Sequence, residues 1–261
     1  LPIEVTVMQQ PNWFSLQQKV AIVTGANTGL GQGIAIALAQ AGADIVAVGR
    51  SSCADTEREV LAVGRAFHAI TCDLAQSNQA GRVVADAIKA AGRVDILVNN
   101  AGVIRRADAV DFTEEDWDAA LDVNLKTPFF LAQAAAKEMI KSGRGGKIIN
   151  IASMLSFQGG IRTASYTASK SGIAGITRLL ANEWAAKGIN VNAIAPGYFS
   201  TNNTTALRAD EQRNKDILAR IPANRWGQPQ DLGGAAVFLS SAASDYVHGI
   251  ILPVDGGWLA R

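Results

Sequence analysis

The stretch Val20-Ala21-Ile22-Val23-Thr24-Gly25-Ala26-Asn27-Thr28-Gly29-Leu30-Gly31 decides how the rest of the chain is read. Its first five residues are mostly β-branched and almost wholly apolar, the pattern of a strand covered on both faces. The glycines after them run straight into an Ala-rich segment of helical period, Gly31–Gln40. Glycine permits a tight turn and a close approach of backbone to ligand. The unpaired N–H groups that open a helix then favour an anion, and a pyrophosphate suits such a place. An ordinary Gly-rich turn looks the same in isolation, so the decision rests on the residues downstream of it.

Outward from this turn the same alternation repeats. Strands are expected at Val20–Thr24, Asp44–Val48, Phe67–Thr71, Asp95–Asn99, Lys147–Ile151, Asn190–Ile194 and Ile250–Val254. Helices are expected at Gly31–Gln40, Asp55–Val63, Gln79–Ala90, Glu114–Lys141, Ala164–Ala186, Arg208–Arg220 and Asp231–Leu239. Thr113 with Asp116 three residues on, and Glu114 and Glu115 in the first turn, mark one helix start. Repeated βαβ units with right-handed crossovers predict a single-domain α/β fold. It is a Rossmann-type, doubly wound parallel sheet of about seven strands with helices on both faces. No repeat or linker divides residues 16–261. The irregular, polar stretch Tyr198–Pro222 is the expected substrate lid.

Composition narrows the function. The 261 residues are 48% hydrophobic with a net charge of +1, enough for one substantial core. Lysine and arginine balance the acids and form no basic run, which argues against nucleic acid as a partner. The apolar runs are broken well short of the roughly 20 residues that span a bilayer, so no membrane association is expected. Cys53 and Cys72 lack metal-ligand spacing, and His68 and His248 are far apart, so no metal site is expected and the reducing cytoplasm is the default. Residues 1–15 read as an N-terminal extension. Leu1–Val7 precede Met8 and lack the features of a secretory signal.

Tyr166 and Lys170 lie four apart on an expected helix and so share a face. A free phenol has a pKa of about 10, and an adjacent ammonium, with any further positive charge brought by a ligand, would favour its phenolate. A lowering of roughly 3 units corresponds to about 4 kcal/mol. Ser153 comes just after the strand ending at Ile151, at the carboxyl end of the sheet, where open α/β folds bind ligands. No GxSxG elbow accompanies it, which argues against a serine hydrolase. Each piece has a plain structural reading: a surface pair, a turn cap, a helix residue bonded to a carbonyl. Their conjunction beside the Gly-rich turn favours chemistry.

Together these residues resemble the short-chain dehydrogenase/reductase family, whose TGxxxGxG pattern matches Thr24 to Gly31 over Gly25, Asn27, Thr28, Gly29 and Leu30. The resemblance extends over nearly the whole chain. It implies that Asp73 and Leu74 meet the adenine, Asp73 being otherwise a helix-capping aspartate, and that Asn100, Ala101 and Gly102 line the adenosine side. It also implies that Pro196, Gly197, Phe199 and Thr201 flank the nicotinamide. Asn124, Ser153, Tyr166 and Lys170 then form the catalytic set, Asn124 holding a water that links Lys170 to solvent, and Tyr166 and Lys170 also touch the cofactor. At the end of the second strand, Gly49 and Arg50, with Ser51 and Ser52 after them, replace the acid that would repel a 2′-phosphate. Arg50 could equally stack on adenine. Local chemistry therefore permits NADP, whereas the resemblance favours NAD, and both stay open.

The loops Val103–Arg106, Ile151–Arg162, Ala195–Tyr198, Thr201–Thr204, Arg208–Glu211 and Val254–Arg261 resemble the 2-dehydro-3-deoxy-D-gluconate 5-dehydrogenases within that family. The implied substrate is a keto-deoxy sugar acid from uronate breakdown. Such a molecule needs a carboxylate anchor, for which Arg105, Arg106 and Arg162 are candidates, Arg162 foremost. Gln158, Asn203 and Trp226 would contact its hydroxyls and carbon face. Gluconate 5-dehydrogenases and 3-oxoacyl-carrier reductases are the rivals within the family, and a catalytically silent dinucleotide-binding regulator is the rival outside it. The resemblance further implies a homotetramer built on the two long helices, with Trp258 as an interface anchor.

Overall fold

The computed structural model describes residues 12–261, so residues 1–11 of the expected N-terminal extension lie outside the described residues. The strands are β1 Val20–Thr24, β2 Asp44–Gly49, β3 Phe67–Thr71, β4 Ile96–Asn99, β5 Gly146–Ile151, β6 Ile189–Pro196 and β7 Ile251–Val254. The helices are α1 Gly29–Gln40, α2 Ala54–Ala62, α3 Ala80–Ala91, α4 Glu114–Leu121, α5 Thr127–Ser142, α6 Ala164–Trp184, α7 Thr205–Ala209, α8 Glu211–Arg220 and α9 Gly233–Ser240.

All strands pair in parallel, in the order β3-β2-β1-β4-β5-β6-β7. The expected doubly wound α/β sheet is therefore borne out. Every residue of β1, β4 and β6 is buried, so β1 and β4 read as nearly continuous apolar runs, while the Asn190 and Asn192 amides of β6 are buried against the Val247 carbonyl. One core lies between the sheet and α3, α5 and α6, around Ile22, Leu97, Leu131 and Ile148. The other lies beneath α1, α2 and α9, around Ile34, Leu38, Ile45 and Leu232. Strand order reverses between β1 and β4, and this switch point opens the crevice where ligands of such sheets bind.

Two helices differ from expectation. The segment expected as one helix over Glu114–Lys141 is α4 and α5 joined by a widened π turn, Asp122–Lys126. Pro128 is the reason: it has no N–H to offer the Asn124 carbonyl four residues earlier, and its ring crowds that carbonyl. Thr127 instead donates to Asp122, five residues back. The segment expected over Arg208–Arg220 is α7 and α8, because Asp210 leaves the helical conformation and its carboxylate accepts the Arg213 N–H at 2.9 Å. Thr113 caps α4 as expected, accepting the Asp116 N–H at 3.2 Å.

Candidate active site

At the carboxyl end of β1 the chain enters the turn with Gly25 at φ +65° and reaches α1 with Gly29 at φ +59°. Thr28, at the helix cap, makes no side-chain bond to the first turn of α1, so those N–H groups face outward for an anion. A methyl group on Gly31 would stand 2.2 Å from the Gly25 carbonyl and 2.3 Å from Asn100 Nδ2. The turn is held from the neighbouring strand. Asn100 donates its amide to Thr24 O at 2.8 Å and Gly25 O at 3.3 Å, while Thr24 Oγ1 accepts the N–H groups of Asn100 and Ala101. This cradle of bare backbone fits the pyrophosphate of a dinucleotide.

The cleft that begins there has a volume of about 390 Å³ and runs from Arg50, Ser51 and Asp73, past Ala101 and Gly102, to Tyr166, Lys170, Thr201 and Asn203. At its adenosine end Gly49 closes β2 without an acid, and Arg50 is exposed with its guanidinium 4.0 Å from the Asp73 carboxylate. Asp73 accepts the Ala75 N–H at 3.1 Å within a local turn and lines the cleft; it does not cap a helix, since the next helical turns start from Gln76 and Gln79. Leu74 is buried, and its carbonyl accepts a bond from Thr127 Oγ1.

At the other end Ser153 leaves β5 buried and accepts the Leu155 N–H at 3.2 Å, with its hydroxyl close enough to the Tyr166 phenol to favour the phenolate. Burial pushes the Tyr166 phenol above its ordinary range, outweighing the downward pull of the Ser153 hydroxyl and the Arg106 charge. This direction is opposite to the one the sequence suggested for Lys170 acting on the phenol. Lys170, one turn along α6, points its ammonium at the Ile151 carbonyl, 2.5 Å away, and stands 5.6 Å from the centre of the Tyr166 ring. Desolvation lowers Lys170 itself to a pKa of about 8. Asn124, in the π turn, spends its side chain on Val103, accepting that N–H and donating to that carbonyl at 2.8 Å each, and donates to Ser169 Oγ. A water bridge at this position would therefore need the Asn124 carbonyl, to which Pro128 donates nothing.

Gly49, Asn124, Ser153, Pro196, Gly197 and Phe199 do not themselves line this cleft, although Ser153 acts directly on the lining residue Tyr166. Gly197 is needed for packing, since a methyl there would meet the Asp255 backbone at 2.7 Å, and Phe199 is buried against Gly227. Of the expected substrate residues, Tyr166, Arg105 and Asn203 line the cleft. Gln158, Arg162 and Trp226 do not. Gln158 faces Trp258 and Arg220, Arg162 pairs with Asp108 at 3.2 Å, and Trp226 donates to Asn214 Oδ1 at 2.8 Å. Trp258, expected at an interface, is 5% exposed and packed within its own chain. Ala119 and Val123 also line the cleft and escaped the sequence reading. Their spacing one turn apart, beside Asn124, was the available signal. Among the described residues no cluster of metal-ligating side chains forms, and no helix is long and apolar enough to cross a membrane.

A family model described as enoyl-(acyl carrier protein) reductase matches residues 25–259. A 2-dehydro-3-deoxy-D-gluconate 5-dehydrogenase of Dickeya dadantii is 61% identical over 250 residues, covering 96% of this chain and 99% of that protein. The Escherichia coli protein of the same name is 61% identical over 248 residues, covering 95% and 98%. A crystal structure from Agrobacterium tumefaciens, described as a putative 2-deoxy-D-gluconate 3-dehydrogenase with bound NADP, is 62% identical with a TM-score of 0.92, covering 96% of this chain and all of that one.

Proposed function

This chain belongs to the short-chain dehydrogenase/reductase family and is an NAD(P)-dependent oxidoreductase of CH–OH and C=O groups, and from that premise we propose that it is a 2-dehydro-3-deoxy-D-gluconate 5-dehydrogenase. The observation that carries the chemistry is the convergence of Ser153, Tyr166 and Lys170 at the end of the cleft opposite the Gly25–Gly31 cradle. The near-complete likeness to two sugar-acid dehydrogenases supports the substrate.

The N–H groups at the start of α1 receive the pyrophosphate, and Asp73, Leu74 and the Asn100–Gly102 loop hold the adenosine. The nicotinamide, when bound, supplies the hydride acceptor for oxidation at C5 and the donor for the reverse reaction. Tyr166 holds or takes the proton at the reacting oxygen. Its burial keeps it a neutral phenol near pH 7, ready to donate in reduction, and oxidation depends on positive charge gathered around it. Ser153 orients the same oxygen through its hydroxyl. Lys170 contributes a charge fixed to the carboxyl end of β5 by Ile151, and a water held on the Asn124 carbonyl would carry protons between Lys170 and solvent. With no acid after β2, the adenosine end takes NAD and NADP alike, Arg50 serving the 2′-phosphate. The Tyr198–Pro222 lid, with Asn203, covers the sugar acid. We place the enzyme in the cytoplasm as a homotetramer, with the exposed Trp117, Phe130 and Leu179 as its contact surface.

Reduced-nicotinamide absorbance tests this directly, with NAD and NADP each offered against 2-dehydro-3-deoxy-D-gluconate, 2-deoxy-D-gluconate, D-gluconate and a 3-oxoacyl thioester. Preferred turnover of the first is expected. Preferred turnover of 2-deoxy-D-gluconate would favour the activity described for the Agrobacterium neighbour, and turnover of the thioester alone would reject the sugar-acid assignment. No turnover of any substrate would favour the silent regulator.

A further inference from the structure

The segment after β7, Asp255–Arg261, touches three parts of the site that the sheet does not otherwise join. Asp255 packs against Gly197, beside the nicotinamide end, so closely that no side chain fits at Gly197. Trp258 is buried with Met154, the residue after Ser153, and with Ile217 and Ile221 at the end of α8. The Trp258 N–H and Arg220 both donate to the Gln158 carboxamide oxygen, at 3.3 and 3.4 Å, and the Arg220 guanidinium lies 4.0 Å over the Trp258 ring. Arg261 donates to the Ala219 carbonyl at 2.6 Å, where the helix's unpaired acceptors and negative dipole end favour a cation.

We propose that Trp258, Gln158 and Arg220 are positioning residues, a strut that sets the height of α8 over Ser153 and so tunes affinity for the sugar acid without touching it. The two bonds to Gln158 are long for hydrogen bonds, and Arg220 is exposed. The strut therefore contributes little to the stability of the sheet. Its effect falls on how closely the lid meets bound substrate, a contact made alike in the ground and transition states, which raises KM and leaves kcat nearly unchanged when it is loosened. Gln158, expected to contact substrate, acts through the lid in this reading.

The proposal rests on the lid assignment made for Tyr198–Pro222. Steady-state kinetics are measured with whichever carbonyl substrate the wild-type enzyme turns over, so an error in substrate identity leaves the test intact. Arg220→Ala is expected to raise KM for that substrate about tenfold, to hold kcat within about threefold, and to leave dinucleotide Kd and thermal midpoint unchanged. Trp258→Phe, which keeps the stacked ring, is expected to retain most of the wild-type KM, and Trp258→Ala to lose it. Unchanged KM in Arg220→Ala with raised KM in the lid variant Asn203→Ala rejects the strut, and unchanged KM in both rejects the lid as well. Raised KM in Gln158→Ala alone restores Gln158 as a direct contact and rejects the strut. Dinucleotide affinity falling in step with KM marks a general disturbance and also rejects the proposal.

Discussion

The Lys170 ammonium stands 5.6 Å from the centre of the Tyr166 ring while its hydrogen bond goes to the Ile151 carbonyl. Lysine and tyrosine are thus not a bonded pair. The cation is fixed to the end of β5, and the phenol is left to the Ser153 hydroxyl and to the cleft. The helix supplies the shared face through its four-residue spacing, and the sheet edge determines where on that face the charge sits.

Tyr166→Phe keeps the ring and removes the proton. Turnover should fall by at least about a hundredfold, the lower end of what a positioned general acid supplies. Titration of reduced-cofactor fluorescence should give a dinucleotide Kd close to that of the wild type. A near-normal rate in this variant would remove Tyr166 from the mechanism.

Lys170 titrates near 8 in the folded protein because it is desolvated, against an ordinary value of 10.5 in the unfolded chain. Between these values the unfolded state holds a proton that the folded state has released, so this group makes stability rise with pH across that window. Below about pH 8 its buried charge costs the fold on the order of 3 kcal/mol. Lys170→Met removes that cost together with the catalytic charge. The variant should be inactive yet more resistant to urea than wild type at pH 7, with the advantage shrinking by pH 10. An advantage that does not change with pH would mean that the lysine is not desolvated.

Much of this arrangement was legible because the residues that make it are close in sequence or forced by backbone geometry. The Gly25–Gly31 turn, the Tyr166–Lys170 face and the position of Ser153 after β5 derive from strand and helix periods alone. The break at Asp122–Lys126 was equally written in Pro128, and the continuous apolar pattern masked it. The hidden part depends on which distant partner claims a polar side chain. Gln158 is taken by Trp258, 100 positions away, and Arg162 by Asp108, and no local pattern announces either. The upward shift of Tyr166 escaped for the same reason, since burial is a property of the assembled cleft.

Arg50 follows the end of β2, where an acid would repel a 2′-phosphate, and it is exposed, held only loosely by Asp73 at 4.0 Å. Arg50→Ala should weaken NADP binding about tenfold, or about 1.4 kcal/mol, and hardly alter NAD binding. Parallel titrations of the two reduced cofactors check this. An equal loss for both would show that Arg50 serves the adenine they share, by stacking.

The sugar-acid carboxylate, remote from the reacting carbon, needs a cation to anchor it, and the three candidate arginines are not equivalent. Arg105 is engaged by Asp116 at 3.0 Å and Arg162 by Asp108 at 3.2 Å. Arg106 takes part in none of the ion pairs formed among the described residues, and its charge reaches Tyr166, drawing the phenol downward. Exposed ion pairs contribute little on their own. Even so, a substrate carboxylate would have to compete with an aspartate at Arg105 or Arg162, whereas at Arg106 it meets an uncompensated charge. Arg106→Ala should therefore raise KM for the sugar acid about tenfold or more while Arg162→Ala stays close to wild type. An uncharged ketone should bind both variants as it binds the wild type, because it offers no carboxylate to lose. The reverse ranking of the two arginines would return the anchor to Arg162 and require its pair with Asp108 to open when substrate enters.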